Sequence, residues 1–156
     1  MTSHQRLMSA LRTLLAAAAL AGPPAIACAH QSLYAAMGGT KVVARFVSQT
    51  IDKVAADPRL NQSFRDVDLA RVKRELTSYI CQLAGGGCKY TGIPIRAVHA
   101  NLGITQAQFY GLVQILRHQM RANHVDLRDR NRLLALLAPL EPQVVDVRVP
   151  PPKRKD

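Results

Sequence analysis

Apolar residues recur every three or four positions through most of the chain after residue 31, which is the spacing of a helix with one buried face. The first such face is made by Val42, Val43, Phe46, Val47, Thr50, Ile51 and Val54. Pro58 disfavours helical backbone at Asp57. The pattern therefore predicts a helix that ends before the stretch "DPRL".

A second helix is predicted to begin at a capping Asp66 or Asp68 and to stop at three consecutive glycines, residues 85–87. Its apolar face is made by Leu69, Val72, Leu76, Tyr79, Ile80 and Leu83. The loop "CKYTGIP" follows and leads to a short helix that carries His99 and is expected to end near Leu102–Gly103. Four glycines between Ala84 and Pro94 indicate a flexible arm before this short helix.

Thr105 and Gln108 have the spacing of a capping box, which predicts the start of another long helix. Its apolar face is made by Phe109, Leu112, Val113, Leu116 and Met120. A last helix is predicted from about Asp126 to Leu137, ended by Pro139. No alternating strand pattern and no internal repeat is present, so the fold class is all-α with about four principal helices.

The N-terminal segment has the order of an export signal, which we assign to residues 1–29. Arg6 and Arg12 precede an apolar run over Leu14–Ala21, which is too short for a membrane span of roughly 20 residues. "Ala-Cys-Ala" at residues 27–29 fits a signal-peptidase site, and residues 25–28 also resemble a lipobox, although Ala25 replaces the usual leucine. The signal favours a soluble periplasmic product, with a lipoprotein anchored through Cys28 and an uncut anchor left open.

The formal net charge of +11 is shared between the two ends and the body of the chain. Residues 148–156 form a basic, proline-rich tail that we predict to be disordered, which leaves a mildly basic domain at residues 30–147. Aromatic residues make up 4% of the chain and do not alternate with basic ones, so a nucleic-acid partner is not expected. Contact of the basic tail with an anionic membrane is a further route to tethering.

Cys81 and Cys88 are the two cysteines within the predicted domain, and an oxidising compartment permits a disulfide between them. The intervening glycines allow the chain to turn back on the end of a helix. Metal binding is the competing interpretation, but two cysteines without a nearby histidine or a further cysteine make a poor zinc site. The pattern favours a structural disulfide.

Four stretches, "SLYAAMGG", "ADPRLNQSF", "GGGCKYTGIPIRAVHANLGIT" and "LLALLAPL", carry a resemblance to the group 1 truncated haemoglobins. The resemblance covers roughly residues 32–145 and implies a two-over-two helical sandwich that binds haem. An isolated histidine on an apolar helix is more often structural, but the resemblance makes His99 the proximal iron ligand. The absence of a "CxxCH" stretch indicates haem b held without a covalent bond.

The resemblance also implies which residues line the cofactor. Phe64 corresponds to an aromatic residue that packs on the haem face, and Val72 and Leu76 face the sixth coordination position. The other residues expected to contact the cofactor are Tyr90, Ile95, Val98, Ile104, Phe109 and Leu112. Members of the group commonly place a distal tyrosine where this chain has Ile51, next to Thr50, and a glutamine where it has Leu76.

The function expected from these residues is the binding of diatomic gases (O2, NO, CO) at haem iron in an unusually apolar distal pocket. A hydrogen bond to a charged acceptor contributes roughly 1.5–3 kcal/mol, so without a distal donor we expect weak retention of oxygen. The alternatives are a haem enzyme acting on NO or peroxide, such as an NO dioxygenase or a peroxidase, and a haem-based redox or gas sensor. The reductant and the oligomeric state stay open.

Overall fold

The computed structural model describes residues 31–146, and within that range the backbone forms helices and no strand. The predicted signal at residues 1–29, Cys28 and the predicted tail at residues 148–156 lie outside the described residues. The α-helices are α1 (Leu33–Ala36), α2 (Gly39–Ala56), α3 (Leu69–Leu83), α4 (Ile95–His99), α5 (Gln106–Ala122), α6 (Leu127–Leu137) and α7 (Glu141–Val144). Short 3-10 helices lie at Asn61–Phe64 and Ala138–Leu140.

Side-chain caps begin two of the long helices, α3 and α5, where the sequence predicts. The Asp68 side chain accepts a hydrogen bond from the backbone N–H of Arg71 at 3.1 Å, so of the two candidate caps Asp68 is the one used by α3. Thr105 and Gln108 form both halves of the predicted capping box at the start of α5. Each cap satisfies backbone donors that the first helical turn leaves without an internal partner.

The core lies where α2 packs against both α3 and α5, while α5 also packs against α6. The α2 face predicted from the sequence is buried at Val43, Phe46, Val47, Thr50, Ile51 and Val54. It is joined in the interior by Ile80 of α3, by Leu116 and Met120 of α5 and by Leu133 of α6. The all-α prediction with four principal helices is confirmed, since α2, α3, α5 and α6 are the four long ones.

One helix boundary differs from the sequence prediction, and one short helix near the end of the fold was not predicted. Helix α4 ends at His99 and not near Gly103, because Ala100 has an extended backbone (ψ 135°) and Asn101 is left-handed (φ 62°). Helix α6 ends at Leu137 as predicted, and the chain then makes the additional short helix α7, which the sequence did not predict. Pro142 lies in the first turn of α7, where its missing N–H costs no helical hydrogen bond.

No helix within residues 31–146 is both long enough and apolar enough to cross a membrane.

Candidate functional site

His99 ends α4 with its two ring nitrogens in different environments. Its Nδ1 lies 2.8 Å from the carbonyl oxygen of Ile95, one turn earlier. Because a carbonyl oxygen only accepts, the neutral ring donates from Nδ1 and keeps its free lone pair on Nε2. Among the described residues, Nε2 has no hydrogen-bond partner, and the ring is partly exposed. The arrangement is that of an imidazole oriented to bind through Nε2.

Apolar side chains around α4 are unusually exposed. Val98 of α4 is 44% exposed, Ile93 in the preceding loop 47% and Leu102 in the following turn 39%. Among the other residues predicted to line the cofactor, Ile104 is buried, whereas Phe64, Val72, Leu76, Tyr90, Ile95, Phe109 and Leu112 are partly exposed. Helices α3 and α5 both pack on α2 and so share one support. The apolar surface around α4 is therefore only partly buried. A helix as short as α4 depends on burial of its apolar side chains for stability.

Thr50 and Ile51, predicted for the distal pocket, are buried in α2 with 0% and 1% of their surface exposed. The Thr50 hydroxyl donates to the Phe46 carbonyl oxygen at 2.7 Å. This hydroxyl is therefore already paired with the backbone of its own helix.

The loop between α3 and α4 is fastened to α3, in contrast to the flexible arm expected from its glycines. The backbone N–H of Tyr90 donates to the Gln82 side chain at 2.7 Å, and the Tyr90 hydroxyl donates to the Ile93 carbonyl at 2.9 Å. The Tyr79 and Tyr90 rings meet edge to face with centroids 5.2 Å apart. These contacts hold the segment immediately before α4 against the end of α3.

Cys81 and Cys88 are paired across the same loop, with their Cα atoms 5.7 Å apart. Gly86 lies beneath the pair, and a Cβ atom there would come within 2.6 Å of the Cys81 sulfur and of the Tyr34 ring. The glycine is needed for this close approach, and not for a left-handed backbone. The cysteines thus add a third attachment between α3 and the loop.

Glu75 points its carboxylate at this loop, against Gly92 and close to the Tyr90 hydroxyl. Burial raises the pKa of Tyr90 above its usual 10.0, and the nearby Glu75 carboxylate and Tyr79 phenol raise it further. Burial also raises the pKa of Tyr79. Both phenols are therefore kept protonated to a higher pH than free tyrosine, and both stay hydrogen-bond donors.

Tyr90 was predicted as a site residue, but its partners on α3 were not predicted from the sequence. Tyr79 was assigned only to a helix face, and Gln82 and Glu75 were given no contact with the loop. Gln82 lies in α3 and Tyr90 lies beyond its end, eight residues later. Helical periodicity therefore does not predict their contact. The "YTG" stretch before Pro94 was the available signal that the loop has a defined conformation.

A cavity of about 500 Å³ lies elsewhere, between the end of α2 and the start of α5. Its lining includes Asp57, Arg59, Leu60, Gln108 and Gly111, and none of the residues predicted to contact a cofactor. A smaller apolar cavity of about 130 Å³ between α5 and α6 is lined in part by Phe109. The larger cavity is therefore distinct from the surface around His99.

The model of the bacterial-like globin family matches residues 32–146, which is nearly all of the described chain. The chain belongs to the bacterial-like globin family. Within this family its similarity is to the group 1 truncated haemoglobins, as the sequence resemblance implies. The match includes all seven α-helices of the part of the chain that the structure describes.

Relatives and solved structures agree with this globin assignment. The group 1 truncated hemoglobin GlbN of Mycolicibacterium paratuberculosis is 28% identical over 113 residues, covering 72% of this chain and 83% of that protein. GlbN of Nostoc sp. is 26% identical over 103 residues, covering 66% of this chain and 87% of that protein. The truncated hemoglobin of Tetrahymena pyriformis in its Fe(III) form superposes with a TM-score of 0.70 at 20% identity, covering 74% of this chain and 98% of that one. The predicted truncated-globin fold is confirmed.

Membership of the globin family implies haem b as the cofactor, and the residues of this chain fit it. Haem is a flat, largely apolar macrocycle whose iron takes a neutral imidazole as axial ligand. The partly exposed apolar surface is suited to contact such a macrocycle, and the free Nε2 of His99 is suited to donate to the iron. The exposed side chains of Arg96 and Lys89, on α4 and in the loop before it, add positive charge near the same surface.

Proposed function

We propose that this globin binds haem b through His99 Nε2 and takes up diatomic gases at the opposite face of the iron. The observation that carries the proposal is the His99–Ile95 contact of 2.8 Å, which assigns the proton to Nδ1 and leaves Nε2 free. Bound haem would supply an iron centre with an open sixth position. The protein would orient the imidazole, cover the macrocycle with apolar side chains and restrict the entry of water.

The proposed proximal contacts are apolar residues of α4, of α5 and of the turn between them. Ile95, Val98, Ile104, Phe109 and Leu112 would pack on the macrocycle, with Tyr90 holding the loop at its edge. Phe64 would pack on the other side. The macrocycle would then cover apolar surface that the described residues leave partly exposed, such as Val98 at 44%. That burial favours binding by roughly 25 cal/mol for each Å² of apolar surface removed from water.

The distal side is proposed to consist of Ile51, Val72 and Leu76, with Thr50 behind them. None of the first three side chains can donate a hydrogen bond. The Thr50 hydroxyl is paired with Phe46, which supports an apolar pocket. We therefore expect fast dissociation of oxygen and a relative preference for NO and CO, whose retention depends less on a donated hydrogen bond.

The test is an absorption spectrum of the purified protein in its ferric, ferrous and ferrous-CO forms, compared with His99→Gly. The wild type should show a haem Soret band and a ferrous-CO spectrum of histidine-ligated haem. His99→Gly should lose that axial ligand and regain it when free imidazole is added. His124→Gly is a matched control, because His124 is exposed and already has a left-handed backbone (φ 59°) that glycine accommodates. A His99→Gly spectrum identical to that of the wild type would refute the assignment.

Turnover of NO or peroxide is the alternative, and it would be helped by an acid–base group beside the bound ligand. Glu75 is next to Leu76 in the sequence, but its carboxylate lies against Gly92 and the Tyr90 loop. Mixing the oxygenated protein with NO in a stopped-flow instrument, and measuring nitrate, separates an enzyme from a binding protein. The geometry favours gas binding without such turnover.

We also propose that the chain is exported to the periplasm and oxidised there at Cys81 and Cys88. The Cα separation of 5.7 Å is within the usual range for a disulfide, which supports oxidation in that compartment. Cell fractionation, followed by the intact mass of the mature protein, tests both parts. A mass that begins at His30 and lacks two hydrogens is the expected result, and a lipid-modified Cys28 would instead identify a lipoprotein.

A further inference from the structure

The segment after α7 is joined to the turn after α4 by two hydrogen bonds. The backbone N–H of Asp146 donates to the carbonyl oxygen of Ile104 at 3.0 Å. The backbone N–H of Gly103 donates to the Asp146 carboxylate, also at 3.0 Å. We call these two bonds the Asp146 clasp. They connect positions about forty residues apart, four and five residues after His99.

Helix α4 has little else to fix its position. It has five residues, none of them buried, and Pro94 at its start makes no side-chain cap. A helix this short is not stable alone in water. Its main helix neighbour is α7, and the turn that follows it contains the left-handed residues Asn101 and Gly103, both with φ 62°. The position of α4 therefore depends on what holds its two ends.

The α7 side of the clasp is anchored to α5. The Glu141 carboxylate accepts hydrogen bonds from the Gln106 side chain at 2.8 Å and from the Tyr110 hydroxyl at 3.0 Å. Val145, next to Asp146, is buried with 8% of its surface exposed. The clasp thus ties the turn after His99 to the long helix α5 through a segment that is itself held in place.

We propose that Asp146 is a positioning residue for His99, because its carboxylate fixes Gly103 and with it the end of α4. This inference rests on the proposed role of His99 as the iron ligand. The Tyr90 contacts hold the N-terminal side of α4, and the Asp146 clasp holds its C-terminal side. Together they set the direction in which His99 Nε2 points.

The experiment compares full-length holoprotein with Asp146→Ala, Asp146→Asn and Asp126→Ala. Asp126 is an exposed aspartate whose side chain makes no capping hydrogen bond, so Asp126→Ala controls for loss of a surface charge. The readouts are the iron–histidine stretching band in the ferrous Raman spectrum, the rate of haem transfer to apomyoglobin and the hydrogen exchange of the Gly103 amide.

Asp146→Ala should shift or broaden the iron–histidine band, and it should accelerate haem loss about three- to tenfold, since one charge-assisted hydrogen bond is removed. Exchange of the Gly103 amide should accelerate as well. Asp146→Asn keeps an acceptor oxygen and should lie between Asp146→Ala and the wild type. Asp126→Ala should match the wild type in all three measurements.

An Asp146→Ala protein with faster Gly103 exchange but an unchanged band and unchanged haem loss would overturn the positioning role. A lower melting temperature with an unchanged band would overturn it too, since that result indicates a merely structural contact. If the wild type itself has no iron–histidine band, the proposed function fails instead. The two failures are thus distinguishable.

Discussion

The Thr50 hydroxyl donates to the carbonyl oxygen of Phe46, four residues earlier in α2, at 2.7 Å. Thr50 is fully buried, so turning the hydroxyl elsewhere would break this bond and leave a buried hydroxyl in need of another acceptor. Its neighbour Ile51 occupies the position where the resemblance places a distal tyrosine. The polarity of the proposed gas site therefore depends on Ile51 and the α3 residues.

Ile51→Tyr should restore a distal donor. We expect oxygen dissociation to slow by roughly ten- to a hundredfold, because a hydrogen bond to a charged acceptor contributes about 1.5–3 kcal/mol. Stopped-flow displacement of oxygen by CO measures the rate. Ile51 is 1% exposed, so the larger ring has to be accommodated by repacking. Leu76→Gln, at a partly buried position, offers a second donor with less crowding and should act in the same direction.

Thr50→Val is the matched control for these variants, because it removes the neighbouring hydroxyl and keeps the side-chain shape. Its oxygen dissociation rate should equal that of the wild type. A markedly faster rate would mean that the Thr50 hydroxyl reaches the bound gas, contrary to its pairing with Phe46.

Replacing Cys81 and Cys88 with alanine should lower the free energy of unfolding by about 2 kcal/mol, as expected for closure of a short loop. Urea denaturation with and without dithiothreitol measures the effect. The reductant should destabilise the wild type and leave the double variant unchanged. Equal stability of the oxidised wild type and the double variant would show that the pairing contributes nothing.

Tyr90→Phe should alter the pH dependence of stability at alkaline pH. Burial first, and then Glu75, raises the pKa of Tyr90 in the folded protein above 10.0. The unfolded chain therefore releases the Tyr90 proton at a lower pH than the folded chain does. The contribution of Tyr90 to the free energy of unfolding is present below about pH 10 and is lost as the pH rises through the folded pKa. Urea titrations between roughly pH 9 and 11 should show a steeper loss for the wild type than for Tyr90→Phe. Parallel curves would contradict the raised pKa.

Gly92→Ala should destabilise the loop by about 1–3 kcal/mol, the usual cost of overpacking. The new methyl group would meet the Glu75 carboxylate and the Tyr90 ring. In a Glu75→Ala background part of this crowding is removed. Gly92→Ala should therefore lower the free energy of unfolding by less in that background than in the wild type. Thermal or urea unfolding of the four proteins completes a double-mutant cycle, and strict additivity would argue against the contact.

Local sequence signals predicted much of the fold. The buried face of α2, the Asp68 cap and the Thr105–Gln108 capping box each depend on residues within a few positions of one another. The sequence also singled out His99, and the structure adds its pairing with Ile95, only four residues away.

The parts that were missed depend on contacts between distant positions or across helix ends. The end of α4 at His99 follows from the backbone of Ala100 and Asn101 rather than from the glycine used to predict it. The α3–α4 loop has glycines that suggested flexibility, but Gln82 and Tyr79 fasten it to α3. Periodicity describes one helix at a time, so it does not reveal such pairs.

Asp146 follows every helix of the described fold in the chain, yet its carboxylate contacts the turn that follows His99. A ribosome therefore completes α2, α3, α4 and α5 well before the residue that fastens the end of α4 has been made. Until Asp146 has emerged, from the ribosome or from an export channel, the end of α4 lacks the Asp146 clasp. Tight binding of haem is accordingly expected to occur late in folding, after α7 has docked.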